Sequence, residues 1–230
     1  RGLSPSLTAG AEKEPSHPMA RFLVVLDVDS TLIEEEAIEL LAREAGSGER
    51  VAEITSRAMA GELDFTESLR ERVATLAGLS RDVFAELAPS IHLTRGARDL
   101  VDGVHAGGGA IGVVSGGFHE LLDPLAASLG LDHHRANRLG ADAGVLTGTT
   151  EGMVVDAAAK ADAVREWATA HALPLERTIV VGDGANDLEM MRIAGLSIAF
   201  DAKPVVCATA SVCVPERDLS AVLAVLGLRG

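Results

Sequence analysis

The stretch Arg21-Phe-Leu-Val-Val-Leu-Asp-Val-Asp-Ser-Thr31 limits what this chain can become more than any other. Phe22 to Leu26 is an unbroken apolar run, the pattern of a strand buried on both faces as in a parallel sheet. Asp27 and Asp29 follow at once, and a spacing of two puts both carboxylates on one side of an extended chain. Ligands of open α/β sheets bind beyond the carboxyl ends of the strands, so the pair stands where chemistry is done. Two unpaired carboxylates that close repel each other, and a divalent cation relieves the repulsion. A polar Asp-Ser-Thr turn that caps the next helix explains the same residues without any chemistry. At this point both readings stand.

From Glu34 to Leu93 strand signals vanish. Apolar residues recur at helical spacing instead: Ile38, Leu41 and Ala45, then Val51, Ile54 and Ala58, then Phe65, Leu69, Val73 and Leu76. Asp64 followed by Glu67 has the form of a capping box for the third helix, and Ser80 is placed to cap a fourth. An insertion directly after the first strand lies over that strand's carboxyl end. The pattern predicts a helical cap at 34–93 on an α/β core at 21–33 and 94–230. Residues 1–20 are rich in Gly, Ser and Pro without periodicity and read as a flexible tail.

Beyond the cap, strands and helices alternate. Gly96 to His105 reads as a helix and Ala110 to Val114 as a strand that ends in a tight Ser115-Gly-Gly-Phe118 turn. A helix over Leu121 to Leu129, a small β-hairpin within Leu139 to Met153 and a helix over Ala157 to Ala170 follow. Thr178 to Val181 is a third core strand, running into Gly182-Asp-Gly-Ala-Asn-Asp187. Leu196 to Phe200 and Val212 to Val214 are further strands, and Leu219 to Leu226 is a closing helix. Such alternation implies a doubly wound, Rossmann-like parallel sheet with right-handed crossovers, here with a helical cap inserted after the first strand.

Composition narrows the function. Hydrophobic residues make up 47% of the chain, enough for a well-packed core. A net charge of −14 argues against nucleic acid or an anionic membrane surface as partner, and an anionic substrate would need local cations to draw it in. Cys207 and Cys213 lack metal-site spacing and are too few for a disulfide framework, so they read as buried thiols of a reducing cytoplasm. His133 and His134 adjoin without a third metal ligand evident nearby and read as surface residues.

Three strand ends now carry polar clusters: Asp27 with Asp29, Ser115-Gly116-Gly117, and Asp183 with Asn186 and Asp187. Each alone could be a turn or a helix cap, and Lys160 alone could be a solvated helix residue. In this order they resemble the haloacid dehalogenase superfamily of aspartyl-phosphate phosphatases. Within it, the cap stretch Arg57-Ala-Met-Ala-Gly-Glu-Leu-Asp-Phe-Thr-Glu-Ser-Leu-Arg-Glu-Arg72 and the stretch Ala136-Asn-Arg-Leu139 are similar to the phosphoserine phosphatases.

The chemistry can also be argued from residue types. An Asp nucleophile at phosphorus forms an acyl phosphate and divides a hard hydrolysis into two steps. Asp27, first after the strand, is the candidate nucleophile, and Asp29 the candidate acid and base. Mg²⁺, a hard cation, suits oxygen ligands. The resemblance implies that these come from Asp27, the backbone carbonyl of Asp29 and Asp183, with Asp187 in support behind them. Ser115 and the Gly116 N–H would hold phosphoryl oxygens, Lys160 would supply positive charge, and Asn186 would add a further contact. The resemblance further implies Glu36 on a substrate ammonium, Arg72 on its carboxylate, and Met59 with Phe65 as an apolar wall. It implies hydrolysis of O-phospho-L-serine, a small-molecule substrate, by a cytoplasmic monomer or homodimer that serves serine biosynthesis. Transfer of the same phosphoryl group to homoserine or another alcohol is the alternative.

Overall fold

The computed structural model describes residues 20–228, so the tail reading for 1–20 lies outside the described residues except at Ala20. Along the chain, β1 (Leu23–Leu26) precedes four helices: α1 (Ala37–Glu44), α2 (Gly48–Met59), α3 (Phe65–Ala74) and α4 (Val83–Leu87). Then come α5 (Ala97–Ala106), β2 (Ala110–Phe118), α6 (His119–Leu129) and the hairpin β3 (His133–Asp142) and β4 (Val145–Glu151). The chain continues with α7 (Ala157–Ala170), β5 (Thr178–Gly182), α8 (Leu188–Ile193) and β6 (Leu196–Phe200). It ends with α9 (Pro204–Cys207), β7 (Val212–Val214) and α10 (Ser220–Val225).

The strands form one sheet in the order β4-β3-β2-β1-β5-β6-β7. Every pairing is parallel except β3 with β4. β1 is buried along its length and paired on both sides, as its apolar run requires. Its alternate residues serve opposite layers. Val24 and Leu26 pack with Leu100, Leu122 and Val222 on one face, and Leu23 and Val25 with Val164, Trp167 and Met190 on the other. The sheet is thus doubly wound, and the order of strands reverses direction beside β1.

The cap helices share a third apolar cluster in which Ile38, Leu41, Leu69 and Val73 meet Phe118 and Leu146. The chain leaves for the cap and returns from it side by side, with Ile33 bridged to Leu93 and Thr94 N–H donating to the Leu32 carbonyl at 2.9 Å. Asp64 caps α3 through a complete capping box with Glu67, as its spacing predicts.

Several expectations change. β2 does not stop at a tight turn; it runs through Ser115-Gly-Gly to Phe118 with its register against β3 shifted between Val114 and Phe118. The Ser115 hydroxyl accepts the Gly117 N–H at 2.7 Å, so a side chain stands in for a ladder partner at this irregularity. The hairpin begins earlier than Leu139, because His133 to Arg135 first pair in parallel with β2. These positions are polar, so they carry no strand-like alternation. Ser80 does not cap α4, whose N-cap position is Asp82; Ser80 bridges to Val145 instead. α9, four residues long, was too short to leave a periodic signal.

The cysteines are not free thiols. Cys207 and Cys213 form a disulfide across a Cα–Cα distance of 5.2 Å, joining α9 to β7, so they lend no support to a reducing compartment. No helix among the described residues is long and apolar enough to cross a membrane. His134 also has closer company than its neighbours in sequence suggest. Its Nε2 lies 3.1 Å from Asp123 Oδ1, which lies 2.6 Å from His119 Nδ1. The three ligand atoms lie within 4.8 Å of one another. Yet His119 Nε2 accepts the Ala136 N–H, which leaves the ring proton on Nδ1, and Arg138 stands 3.6 Å from Asp123. The group is a hydrogen-bonded clasp between α6 and β3.

The free edge of the hairpin is covered by the cap. Gly78 N–H donates to the Leu146 carbonyl at 2.9 Å, Leu146 N–H to Leu79 at 2.8 Å, and Arg81 N–H to Gly144 at 2.9 Å. Gly148 at this junction has φ +78°, and a Cβ there would lie 2.9 Å from Ala77 Cβ and 3.1 Å from the Ala74 carbonyl oxygen. Gly148→Ala is therefore expected to lose about 1–3 kcal/mol of stability from left-handed strain and crowding together. Denaturant unfolding measures it, and a loss under about 0.5 kcal/mol would mean that the junction yields freely.

Candidate active site

The carboxyl ends of β1, β2 and β5 converge beneath the cap, and α7 adds one side chain from below. That side chain is Lys160. The helix that carries it is capped by Asp156, which accepts the Ala159 N–H at 2.9 Å, and it buries Ala161, Ala163 and Ala168 against the sheet. Lys160 is 0% exposed, and its Nζ lies 2.8 Å from both Asp27 Oδ1 and Asp187 Oδ1. Burial opposes its charge, but Asp187 and Asp27 outweigh burial and hold its pKa above the usual lysine value.

The acids show the converse. Burial, then the charge of Asp187, raises the Asp27 pKa well above the carboxylate norm in spite of Lys160. Burial raises Asp183 too, against the hydrogen bond that Thr31 Oγ1 donates to its Oδ1 at 2.9 Å. Oxygens of Asp27, Asp183 and Asp187 lie within 4.8 Å of one another. With one ammonium among three carboxylates, two negative charges stay uncompensated, the charge that one hard divalent cation neutralises. Asp187 has both oxygens engaged, by Lys160 and by Gly184 N–H at 3.0 Å. Asp27 and Asp183 each keep one oxygen without a hydrogen bond among the described residues, since Val28 N–H and Lys160 both address Asp27 Oδ1. The donor set fits such a cation.

Asp29 lines the same cavity with its oxygens held by Ala37 N–H and by the Ser115 hydroxyl, each at 2.7 Å. Ser115 is 1% exposed, stands behind Asp29 and directs its hydroxyl there, whereas Gly116 and Gly117 face the cavity. Asn137, which sequence reasoning passed over, fixes this strand end. Its amide donates to the Gly116 carbonyl and accepts the Val155 N–H, both at 2.8 Å. Only its place within Ala136-Asn-Arg-Leu139 hinted at a role. Gly116 must be small, because a Cβ there would lie 2.8 Å from Phe65 Cζ of the cap.

Between core and cap lies a cavity of about 790 Å³. Glu36 and Arg72 line it from the cap side, Asp183 and Asn186 from the core side. Burial, then the charge of Asp29, pushes Glu36 up to about 7, while a hydrogen bond from Ser30 Oγ at 2.7 Å pulls the other way. Burial lowers Arg72, opposed by Glu36 and Asp29. Arg72 Nε donates to the Ser68 carbonyl at 3.2 Å, which leaves the two terminal nitrogens for a ligand. Phe65 and Met59 are both in the lining, but Met59 is 69% exposed at the end of α2 and seals nothing in this conformation. Lys203, unanticipated from the sequence, completes the rim.

The haloacid dehalogenase-like hydrolase family profile matches residues 24–192. A phosphoserine phosphatase of Lactococcus lactis subsp. lactis is 52% identical over 204 residues, which cover 89% of this chain and 94% of the relative. A solved structure described as a phospho-aspartyl intermediate analogue of phosphoserine phosphatase superposes with a TM-score of 0.84 at 41% identity, covering 90% of this chain and 99% of that one. A substrate-bound phosphoserine phosphatase complex gives the same TM-score and identity over 89% and 97% of the two chains.

The raised pKa of Glu36 sets a pH dependence. A folded-state value of about 7, above the ordinary 4.5, means that the folded protein binds the proton more tightly. The stability this contributes is full below the unfolded value and is lost as pH rises through about 7. Without added metal, moving from pH 5 to pH 8 should therefore destabilise the wild type more than Glu36→Gln, by about 1 kcal/mol or less, because Glu36 is exposed at its outer edge and water screens much of the shift. Denaturant melts of both proteins at the two pH values provide the comparison, and parallel pH profiles would contradict it.

Proposed function

The chain belongs to the haloacid dehalogenase-like hydrolases, and on that footing we propose that it hydrolyses O-phosphoserine to serine and phosphate through an aspartyl phosphate on Asp27. One observation carries the reading. A nucleophile-grade carboxylate, Asp27, sits against a buried ammonium under a cap whose Glu36 and Arg72 offer the opposite charges that an amino acid demands.

Asp27, Asp183 and the Asp29 backbone carbonyl would hold Mg²⁺, with Asp187 fixing Lys160 behind them. When bound, the ion offsets charge so that an anionic carboxylate can approach an anionic phosphate. Asp27 forms its bond to phosphorus as the bond to the seryl oxygen breaks, and Asp29 gives that oxygen a proton. Asp29 then takes a proton from water, which attacks the aspartyl phosphate, frees phosphate and restores Asp27. Lys160 keeps Asp27 oriented and balances its charge. Gly116 and Gly117 leave room for the phosphoryl oxygens near the backbone, and Ser115 can turn its hydroxyl from Asp29 toward them. Asn186 adds a polar contact on the core side.

Glu36 would take the substrate ammonium, whose arrival favours its ionised form. Arg72 would take the carboxylate with two parallel N–H donors, a geometry an ammonium side chain cannot copy. Phe65 and Met59 supply the apolar wall that limits water. We regard 34–93 as the cap segment and 21–33 with 94–230 as the core.

Asp27→Asn should abolish turnover with the fold retained, because an amide is no nucleophile at phosphorus. In the wild type, serine and free phosphate should form in equal amounts even with homoserine present. Residual turnover in Asp27→Asn above a metal-only blank would rule out the covalent route, and a phosphate deficit would reveal transfer.

Arg72→Ala leaves a substrate carboxylate buried and unpaired, so kcat/KM for phosphoserine should fall by roughly 30- to several-thousand-fold, the equivalent of about 2–5 kcal/mol. Phosphoethanolamine lacks the carboxylate, so its slower turnover should change little. Equal losses on both substrates would place Arg72 on the phosphate or in the fold.

A further inference from the structure

The cavity wall carries five acids, Asp27, Asp29, Glu36, Glu39 and Asp183, against two cations, Arg72 and Lys203. The chain as a whole bears a net charge of −14. An organic phosphate approaching such a surface meets repulsion before it reaches anything that binds it. Under the reading above, Arg72 answers to the carboxylate, and Lys160 is sealed beneath Asp27 and Asp187 with no surface of its own. Besides the divalent cation that the deep acids would hold, one side-chain cation on the wall is left for the phosphate, and it stands nearer the mouth. Lys203 is exposed, and its ammonium has no hydrogen bond or ion pair with any described residue, although carboxylates surround the cavity it lines.

Its backbone is held firmly. Lys203 follows β6, the strand beside β5, so it shares the core wall with Asp183 and Asn186. Asp201, just before it, has φ 43° and donates its N–H to the Val214 carbonyl at 2.9 Å. Arg217 clamps the Asp201 carboxylate at 3.0 Å and reaches the Glu34 carbonyl, where the chain departs for the cap. On the other side, the Lys203 carbonyl accepts from Val206 and Cys207, and Cys207 is tied to β7 by the disulfide. A left-handed residue, an ion pair and a covalent link thus fix a short loop. Its purpose is not burial, since the side chain it presents is a solvated charge.

We propose that Lys203 is the phosphate-gathering cation of this site, a positioning residue that concentrates the dianionic phosphate at the cavity mouth and hands it to the core. The proposal rests on the phosphatase reading for its choice of substrate, but not for its electrostatics. Charge–charge attraction across a mouth open to water is screened over about 10 Å at 0.1 M salt and less far above that, which makes ionic strength the diagnostic variable.

The test compares wild type, Lys203→Ala and Lys203→Arg at roughly 20 mM and roughly 500 mM ionic strength, with thermal melts as a check on folding. Lys203→Ala should lower kcat/KM for phosphoserine about three- to thirtyfold at low salt, with kcat falling less than kcat/KM, and the gap should narrow at high salt. Lys203→Arg should keep most of the wild-type value. Inorganic phosphate, measured by calorimetry on the same proteins, should bind more weakly to Lys203→Ala in the same salt-dependent manner. A loss that is equal at both salt concentrations, or no loss in either assay, overturns the proposal. If the wild type hydrolyses another phosphomonoester but not phosphoserine, the substrate reading falls and Lys203 is judged on that ester and on phosphate binding.

Discussion

The pairing of Lys160 with Asp27 and Asp187 is the interaction on which the rest depends. Removing an ammonium from water costs several kcal/mol even after relaxation, and that cost is recovered only when the charge meets well-placed partners. Both partners lie at 2.8 Å, Asp27 directly after β1 and Asp187 in the turn that joins β5 to α8. The lysine can be buried because β1 and β5 are adjacent, and the two acids can be close because the lysine is there. The same arrangement overshoots in charge, since Asp183 joins the cluster, and a divalent cation closes the balance. Fold, ion pair and metal site are one electrostatic problem with one solution.

Much of this was legible in the sequence because it rests on periodicity and on order along the chain. A double-sided apolar run gives a central parallel strand, and helical spacing from Ile38 to Leu76 gives a cap over its end. The pair Asp64 and Glu67 marks a helix start by a local rule that tertiary contacts have no reason to override. The acids after β1 and β5 were visible as carboxylates at strand ends, where ligands bind.

What the sequence hid depends on contacts between distant segments. Whether Ser115 faces a phosphate or Asp29 is a matter of one rotamer, and rotamers leave no periodic trace. Asn137 works by joining Gly116 to Val155, a link across twenty-one and eighteen positions of chain. Lys203 looks like any surface lysine until the sheet order sets β6 beside β5. Two cysteines six residues apart pair because α9 doubles back against β7, and neither element is long enough to announce itself. Met59 is apolar, but its place at the exposed end of α2 was not readable from spacing alone.

The hydrogen bonds that join Gly78, Leu79 and Arg81 to Leu146 and Gly144 at the start of β4 alter how the cap can behave. A flap joined to its base only where the chain crosses can swing as a door. This one is fastened along a second margin, and Asp29 grips the start of α1 as well. The distal turn between α2 and α3 makes none of these bonds; there Gly61 has φ +79° and Met59 lies in the open. Arg72 sits near the anchored end of α3 and Glu36 at the anchored start of α1, whereas Met59 ends α2 in the open and Phe65 begins α3 behind its capping box. The two cap charges that line the cavity are therefore mounted on the fastened frame, and the apolar Met59 stands in the open at the far end of α2.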